Sequence, residues 1–215
     1  MKKTILSVVA VLALALSFTS CKKDEVVGTG YIQFTNAAEL ASPLDFYASD
    51  VKKTSSPLAY NQSSGYLEVS AKAQPANIKV GATGISLMGF TITPLAGAYY
   101  SVFYISDGFV AAFQDPLSVP PTGKAKVRFV NFNIGATVNN DFSISGGAKI
   151  VNNLAVKEVS DYFDVAPGAA FTAYNTGSTT ALLNIPTTIE AGHIYTVYLS
   201  GKDLAGLKAT VLLQK

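Results

Sequence analysis

Past an apolar opening, hydrophobic and polar residues alternate along this chain in short runs. Ala125, Val127 and Phe129 alternate with Lys126 and Arg128, and Tyr195, Val197 and Leu199 alternate with Thr196, Tyr198 and Ser200. A period of two sends successive side chains to opposite faces of an extended strand, so each run predicts a half-buried β-strand. Turn formers cut the runs short: Gly146-Gly147, Pro167-Gly168, Thr176-Gly177, Gly201 and Gly206. No run after the opening holds a helical period long enough to predict a helix. With 11 Tyr, 12 Phe and no Trp, the composition favours strands packed through aromatic rings.

The pattern occurs twice. Tyr31-Ile32-Gln33-Phe34-Thr35-Asn36-Ala37 aligns with Lys126-Val127-Arg128-Phe129-Val130-Asn131-Phe132, which places Phe34 and Phe129 95 residues apart. Leu44-Asp45-Phe46 aligns with Asn140-Asp141-Phe142, and Tyr66-Leu67-Glu68-Val69 with Tyr162-Phe163-Asp164-Val165. Ala96-Gly97-Ala98-Tyr99-Tyr100 aligns with Ala191-Gly192-His193-Ile194-Tyr195. A spacing that drifts by only a few residues is what two copies of one domain with small loop insertions produce. Each copy predicts seven or eight short strands, so the expected fold is all-β: two tandem immunoglobulin-like or transthyretin-like β-sandwiches. The expected division is 31–115 for the first, 116–123 for a proline-rich linker and 124–215 for the second. Prolines cannot donate to a strand ladder, so Pro116, Pro120 and Pro121 mark a stiff connection.

The opening has a different meaning. Lys2 and Lys3 precede the apolar run Ile5 to Leu16, followed by Ser17-Phe18-Thr19-Ser20-Cys21. That order of basic, apolar and small residues predicts a secretory signal over 1–20, too short to span a membrane. Cys21 is the only cysteine in the chain, so no intramolecular disulfide braces either copy. The segment resembles a bacterial lipoprotein signal, with Phe18 where Leu is usual. The resemblance implies that Cys21 is acylated and becomes the first mature residue, opening a tether over 21–30. Lys22-Lys23-Asp24-Glu25 resembles the signal that carries some Gram-negative lipoproteins to the outer face of the outer membrane. The expected location is therefore the Gram-negative cell surface, with the lipid as the membrane contact.

Removing residues 1–20 takes two of the 16 basic side chains and leaves 14 against 14 acidic ones. A mature chain of near-zero net charge has no excess positive field to hold nucleic acid. The motifs Val127-Arg128-Phe129-Val130-Asn131, Asp141 and Ala191-Gly192-His193-Ile194-Tyr195 resemble those of a bacterial family known as domain of unknown function 4397, over roughly 30 to 215. In the first copy Gln33 stands where that family has arginine. The resemblance implies extracytoplasmic tandem sandwiches, often lipid-anchored, and brings no activity with it.

Candidate chemistry is sparse. His193 is the only histidine, with Ala98 as its counterpart, which marks a turn position rather than a general base. No Gly-x-Ser-x-Gly elbow accompanies it. Asp45 and Asp141 recur at equivalent positions and read as carboxylates that tie down a strand entry, or else as two binding sites. Asn139-Asn140-Asp141 with Gly146-Gly147 is oxygen-rich but matches no calcium loop, and no metal or cofactor is expected. Gly97 and Gly192 predict a tight turn, with Tyr100 and Tyr195 tying it down through their hydroxyls as in a tyrosine corner. Tyr99-Tyr100-Ser101-Val102-Phe103-Tyr104-Ile105 is apolar on both faces, so it packs between domains or offers Tyr99, Phe103 and Tyr104 to a protein or glycan partner. The expected function is a non-enzymatic binding, adhesion or structural module. The alternative is a glycan-binding accessory lipoprotein of a nutrient-uptake system.

Overall fold

The computed structural model describes residues 28–105, 108–135 and 138–215. The expected signal over 1–20, Cys21 and the expected tether residues Lys22, Lys23, Asp24 and Glu25 lie outside them. The described residues form two β-sandwiches with no α-helix. The first contains β1 (Thr29–Ala37), β2 (Leu44–Ala48), β3 (Val51–Lys52), β4 (Ser63–Ser70), β5 (Gln74–Val80), β6 (Ser86–Ile92), β7 (Tyr99–Ile105) and β8 (Phe109–Gln114). The second contains β9 (Ala125–Asn133), β10 (Asn140–Ile144), β11 (Lys149–Leu154), β12 (Phe163–Val165), β13 (Phe171–Asn175), β14 (Ala181–Ile185), β15 (Ile194–Gly201) and β16 (Lys208–Leu213).

The two copies have one topology. An inner sheet runs β4-β1-β7-β8 in the first and β12-β9-β15-β16 in the second; the outer sheets run β3-β2-β5-β6 and β11-β10-β13-β14. The opening strand lies parallel to the seventh in both, β1 on β7 and β9 on β15. Each sandwich closes on its own aromatic core. Phe34 stacks on Phe46 at 5.3 Å between ring centroids in the first, and Phe129 meets Phe142 at a tilt, 4.6 Å away, in the second. Phe171 meets Phe129 edge-on at 5.1 Å.

The repeated motifs are fold devices. Asn36 donates from Nδ2 to Leu58 O (3.0 Å) and accepts from Ala38 N (3.1 Å). Asn131 does the same with Leu154 O and Asn133 N, both at 3.0 Å. These bonds satisfy buried backbone groups where the opening strand leaves the ladder. The tyrosine corner also forms twice. Gly97 and Gly192 turn at φ 73° and 83°, and Tyr100 and Tyr195 accept from Leu95 N and Glu190 N through their hydroxyls at 3.3 and 3.2 Å.

A half-buried strand is the wrong description of β9. Arg128 is only 2% exposed, and β9 is buried on both faces. Val127 and Phe129 point into their own core, while Val130 and Phe132 join Phe103, Ile105, Ala37, Tyr198 and Leu212 in a third apolar cluster shared by the two sandwiches. The inner sheets face each other, so the molecule has four layers of sheet.

Phe129 is wholly buried, whereas Lys126, three residues earlier, is half-buried and reaches Ser118 Oγ. Phe129→Ala, or the equivalent Phe34→Ala, should lower stability by about 3–5 kcal/mol. Lys126→Ala should stay within about 0.5 kcal/mol. A denaturant midpoint unmoved by Phe129→Ala would remove that ring from the core.

Candidate functional site

Tyr99, Phe103 and Tyr104, the residues expected as a partner surface, are already used. Phe103 is wholly buried between the sandwiches, 5.1 Å from Phe132 and 5.3 Å from Tyr198. Tyr104 is 8% exposed and points into the first core, with Val102. Tyr99 is half-buried, stacked on Tyr31 at 4.6 Å and meeting Tyr66 edge-on at 4.9 Å. The strand is apolar on both faces because one face fills its own sandwich and the other fills the contact between sandwiches.

A polar network completes that contact. The Arg128 guanidinium pairs with Asp115 Oδ1 and donates to Ser101 Oγ (3.2 Å), Gln114 O (3.2 Å) and Thr196 Oγ1 (2.9 Å). It also lies over the Tyr162 ring, 5.0 Å from the centroid. Asp115 Oδ2 accepts from Tyr66 Oη (2.7 Å) and Ser101 Oγ (2.8 Å). Burial first, and then the Asp115 carboxylate, push the Tyr66 phenol far above its usual range. Burial also raises Tyr162, to about 12.

This network has a neutral twin. Strand pairing sets Ser101 opposite Phe113 and Thr196 opposite Leu212, which makes Asp115 equivalent to Gln214. Gln214 Oε1 accepts from Tyr162 Oη (2.5 Å) and Thr196 Oγ1 (2.9 Å), as Asp115 accepts from Tyr66 and Ser101. Gln33 donates to Leu213 O at 3.2 Å, as Arg128 donates to Gln114 O. The sandwiches therefore meet about a pseudo-two-fold axis, with one charged pair on one side and two amides on the other. Sequence reasoning missed this site. It read Arg128 as solvent-facing and Asp115 as the last residue before a linker. The only hint was the arginine-to-Gln33 difference between copies.

The paired aspartates brace their own sandwiches. Asp45 accepts from Thr54 Oγ1 (2.7 Å) and pairs with Lys52 (2.8 Å). Asp141 accepts from Asn153 N (2.7 Å) and Thr176 Oγ1 (2.9 Å) and pairs with Lys149 (2.6 Å). Burial alone would raise the Asp141 pKa, but the Lys149 ammonium and the two hydrogen bonds outweigh it and hold it at about 2. His193 sits on the surface, with Nδ1 3.2 Å from Lys215 O and Nε2 3.6 Å from Glu190. Among the described residues, no three His, Cys, Asp or Glu side chains cluster closely enough to hold a metal.

A second feature separates the copies. The first sandwich has an open apolar cleft of about 580 Å³ between the edge strands β6 and β8. Ile32 and Val102 form its floor, and Tyr100 closes one end. Met88, Phe90 and Ile92 line one wall; Phe109, Val110 and Ala112 line the other. In the second sandwich β14 and β16 come together across the same edge. The pairing register puts Ala112 in the place of Val211, and Val110 in the place of Ala209. Leu207, Ala209 and Val211 pack onto the second core, whereas Val110 and Ala112 line the open cleft of the first.

Residues 30–139 match the family described as Domain of unknown function (DUF4397). The chain belongs to that family. The matched span covers the first sandwich, the connection and the opening strand of the second. No curated protein matches the sequence. Among solved structures, the chain is similar to a family 26 carbohydrate-binding module from Eubacterium rectale solved with maltoheptaose. The TM-score is 0.28 at 12% identity, over 86% of this chain and 97% of that one. It is also similar to family 41 carbohydrate-binding modules of streptococcal virulence factors, described for alpha-glucan recognition. There the TM-score is 0.27 at 12% identity, over 81% of this chain and 95% of that one. Likenesses at this level carry no functional argument.

Removing Arg128 strands a buried carboxylate. Arg128→Ala should therefore cost about 3–5 kcal/mol in chemical denaturation. Arg128→Gln with Asp115→Gln copies the neutral half of the network and should recover more than half of that loss. An Arg128→Ala effect below about 0.5 kcal/mol would place the guanidinium in solvent.

Asp141 titrates below its ordinary value of 3.8, so its contribution is complete above about pH 4 and disappears as the pH falls towards 2. The contribution is about 2 kcal/mol. Asp141→Asn should remove that part of the acid-induced loss of stability between pH 4 and 2; an unchanged slope would show that the carboxylate is not held.

Proposed function

We propose that this protein is a lipid-anchored cell-envelope module whose role is non-enzymatic binding, with the cleft of the first sandwich as its site. The observation that carries this reading is the difference between two copies of one fold. A fold that closes its edge with Leu207 and Val211 in one copy leaves the same edge open in the other. Burying apolar groups there gains about 25 cal/mol per Å² removed from water. Pockets that bind organic ligands have this size and lining.

The address rests on the sequence. Lys2 and Lys3, the short apolar run and Cys21 favour acylation, and Lys22-Lys23-Asp24-Glu25 favours the outer face of the outer membrane of a Gram-negative cell. The buried contact between sandwiches favours a spacer role for the second copy. A glycan partner is the weaker reading for this site. The residues lining the cleft are apolar but for Thr91, Thr93, Gln114 and the Tyr100 hydroxyl, and none is charged. A sugar needs more hydrogen-bond partners than that.

Cys21→Ser tests the address and supplies soluble protein for the site. The variant should leave the membrane fraction, and N-phenyl-1-naphthylamine should fluoresce on binding it. Adding Ala112→Glu, at an exposed position in the cleft wall, should weaken that binding at least tenfold. Adding Thr180→Glu, on the surface of the second sandwich, should leave it unchanged. Equal binding by both charge variants would move the site elsewhere, and a membrane-bound Cys21→Ser protein would remove the lipid anchor.

A further inference from the structure

We infer that the cleft takes an extended peptide strand, which adds to the free edge of β8 and places alternate apolar side chains between the two sheets. The inference rests on the reading of the cleft as a binding site and specifies the chemistry of its ligand.

The first support is the state of the edges. Of the eight edge strands, β3, β4, β11, β12 and β16 each carry a charged residue: Lys52, Glu68, Lys149, Asp164 and Lys208. Charges on edges prevent stray strand pairing. β6, β8 and β14 carry none, and two of those three flank the cleft. β6 and β8 also contain no proline, so every residue in them has a backbone N–H.

The second support is regularity. β8 pairs with β7 over six consecutive positions, Tyr100↔Gln114 to Ile105↔Phe109, with no bulge. β6 has an irregularity against β5 between Ile78 and Lys79. Beyond their own sheets, no other backbone group among the described residues bonds to the outer edge of β8, and of its outward carbonyls only Gln114 O, at the far end, is taken, by Arg128. A flat edge with free N–H and C=O groups is the template for strand addition.

The third support is shape. The cleft runs from Gly108 and Met88 to Gln114 and Pro94, along the length of both strands. A segment of about seven residues covers that length at about 3.3 Å per residue. The second sandwich shows what fills such an edge: Val211 and Leu207 both pack onto its core. A peptide with small or branched apolar residues at every second position delivers equivalent groups, and its main chain satisfies β8. An acyl chain would fill the volume and leave the edge unpaired.

The test uses the full chain carrying Cys21→Ser. The probes are nonapeptides alternating valine or leucine with threonine, each paired with a twin N-methylated at every second residue. The unmodified peptides should bind at least tenfold more tightly than their twins. Binding should also slow hydrogen exchange across 109–114. If the naphthylamine probe binds but no peptide exceeds its twin, strand addition falls and the apolar-site reading stands. If neither the naphthylamine nor any peptide binds, both fall.

Discussion

Everything else in this molecule depends on the burial of one face of each inner sheet against the other. The contact turns β1, β7, β9 and β15 into strands covered on both sides, which is why β7 reads Tyr-Tyr-Ser-Val-Phe-Tyr-Ile without a polar face. It also fixes what a charge may do there. Arg128 and Asp115 are each almost wholly out of water, a position that is costly unless each meets the other and their remaining donors and acceptors are filled. Ser101, Thr196, Tyr66 and the Gln114 carbonyl fill them. The pair adds specificity: of the two equivalent positions about the pseudo-two-fold axis, one holds opposite charges and the other holds Gln33 and Gln214. Pairing two copies of the second sandwich would oppose each Arg128 with Gln214 and bury two uncompensated cations.

Features carried by neighbouring residues were legible in the sequence. The repeat, the Asn36 and Asn131 brackets and the tyrosine corners are local devices, in which a residue type at fixed spacing satisfies the backbone close by. The long-range contact was not legible. Lys126 and Arg128 alternate with apolar residues just as two solvent-facing cations would, and the period of two says which face a side chain takes but not what covers that face. Phe103 showed that something apolar must lie against β7, but not that the second copy supplies it.

The cleft was hidden for a different reason. Ala112 is an ordinary residue in an ordinary strand. Only the register against β7, compared with that of β16 against β15, shows that it stands where Val211 packs onto the other core. The repeat is thus its own control. Core residues such as Phe34 and Phe129 match across copies because one fold imposes them, so a mismatch at the edge is free to express something the fold does not require.

The two asymmetries point the same way. The inner faces are consumed by the contact between sandwiches, and the second sandwich shuts its edge. What the molecule leaves open to a partner is the outer surface and the β6–β8 edge of the first sandwich. Phe109, at the start of that edge, carries the Lys157 ammonium of the second sandwich 3.1 Å from its ring centroid. The second copy therefore holds the sheet that contains β8, packing against Ala111 and Phe113 on the face turned away from the cleft. Strand addition needs such an edge held straight before the partner arrives, because ordering a loose edge at the moment of binding would cost conformational entropy that the contact would then have to offset.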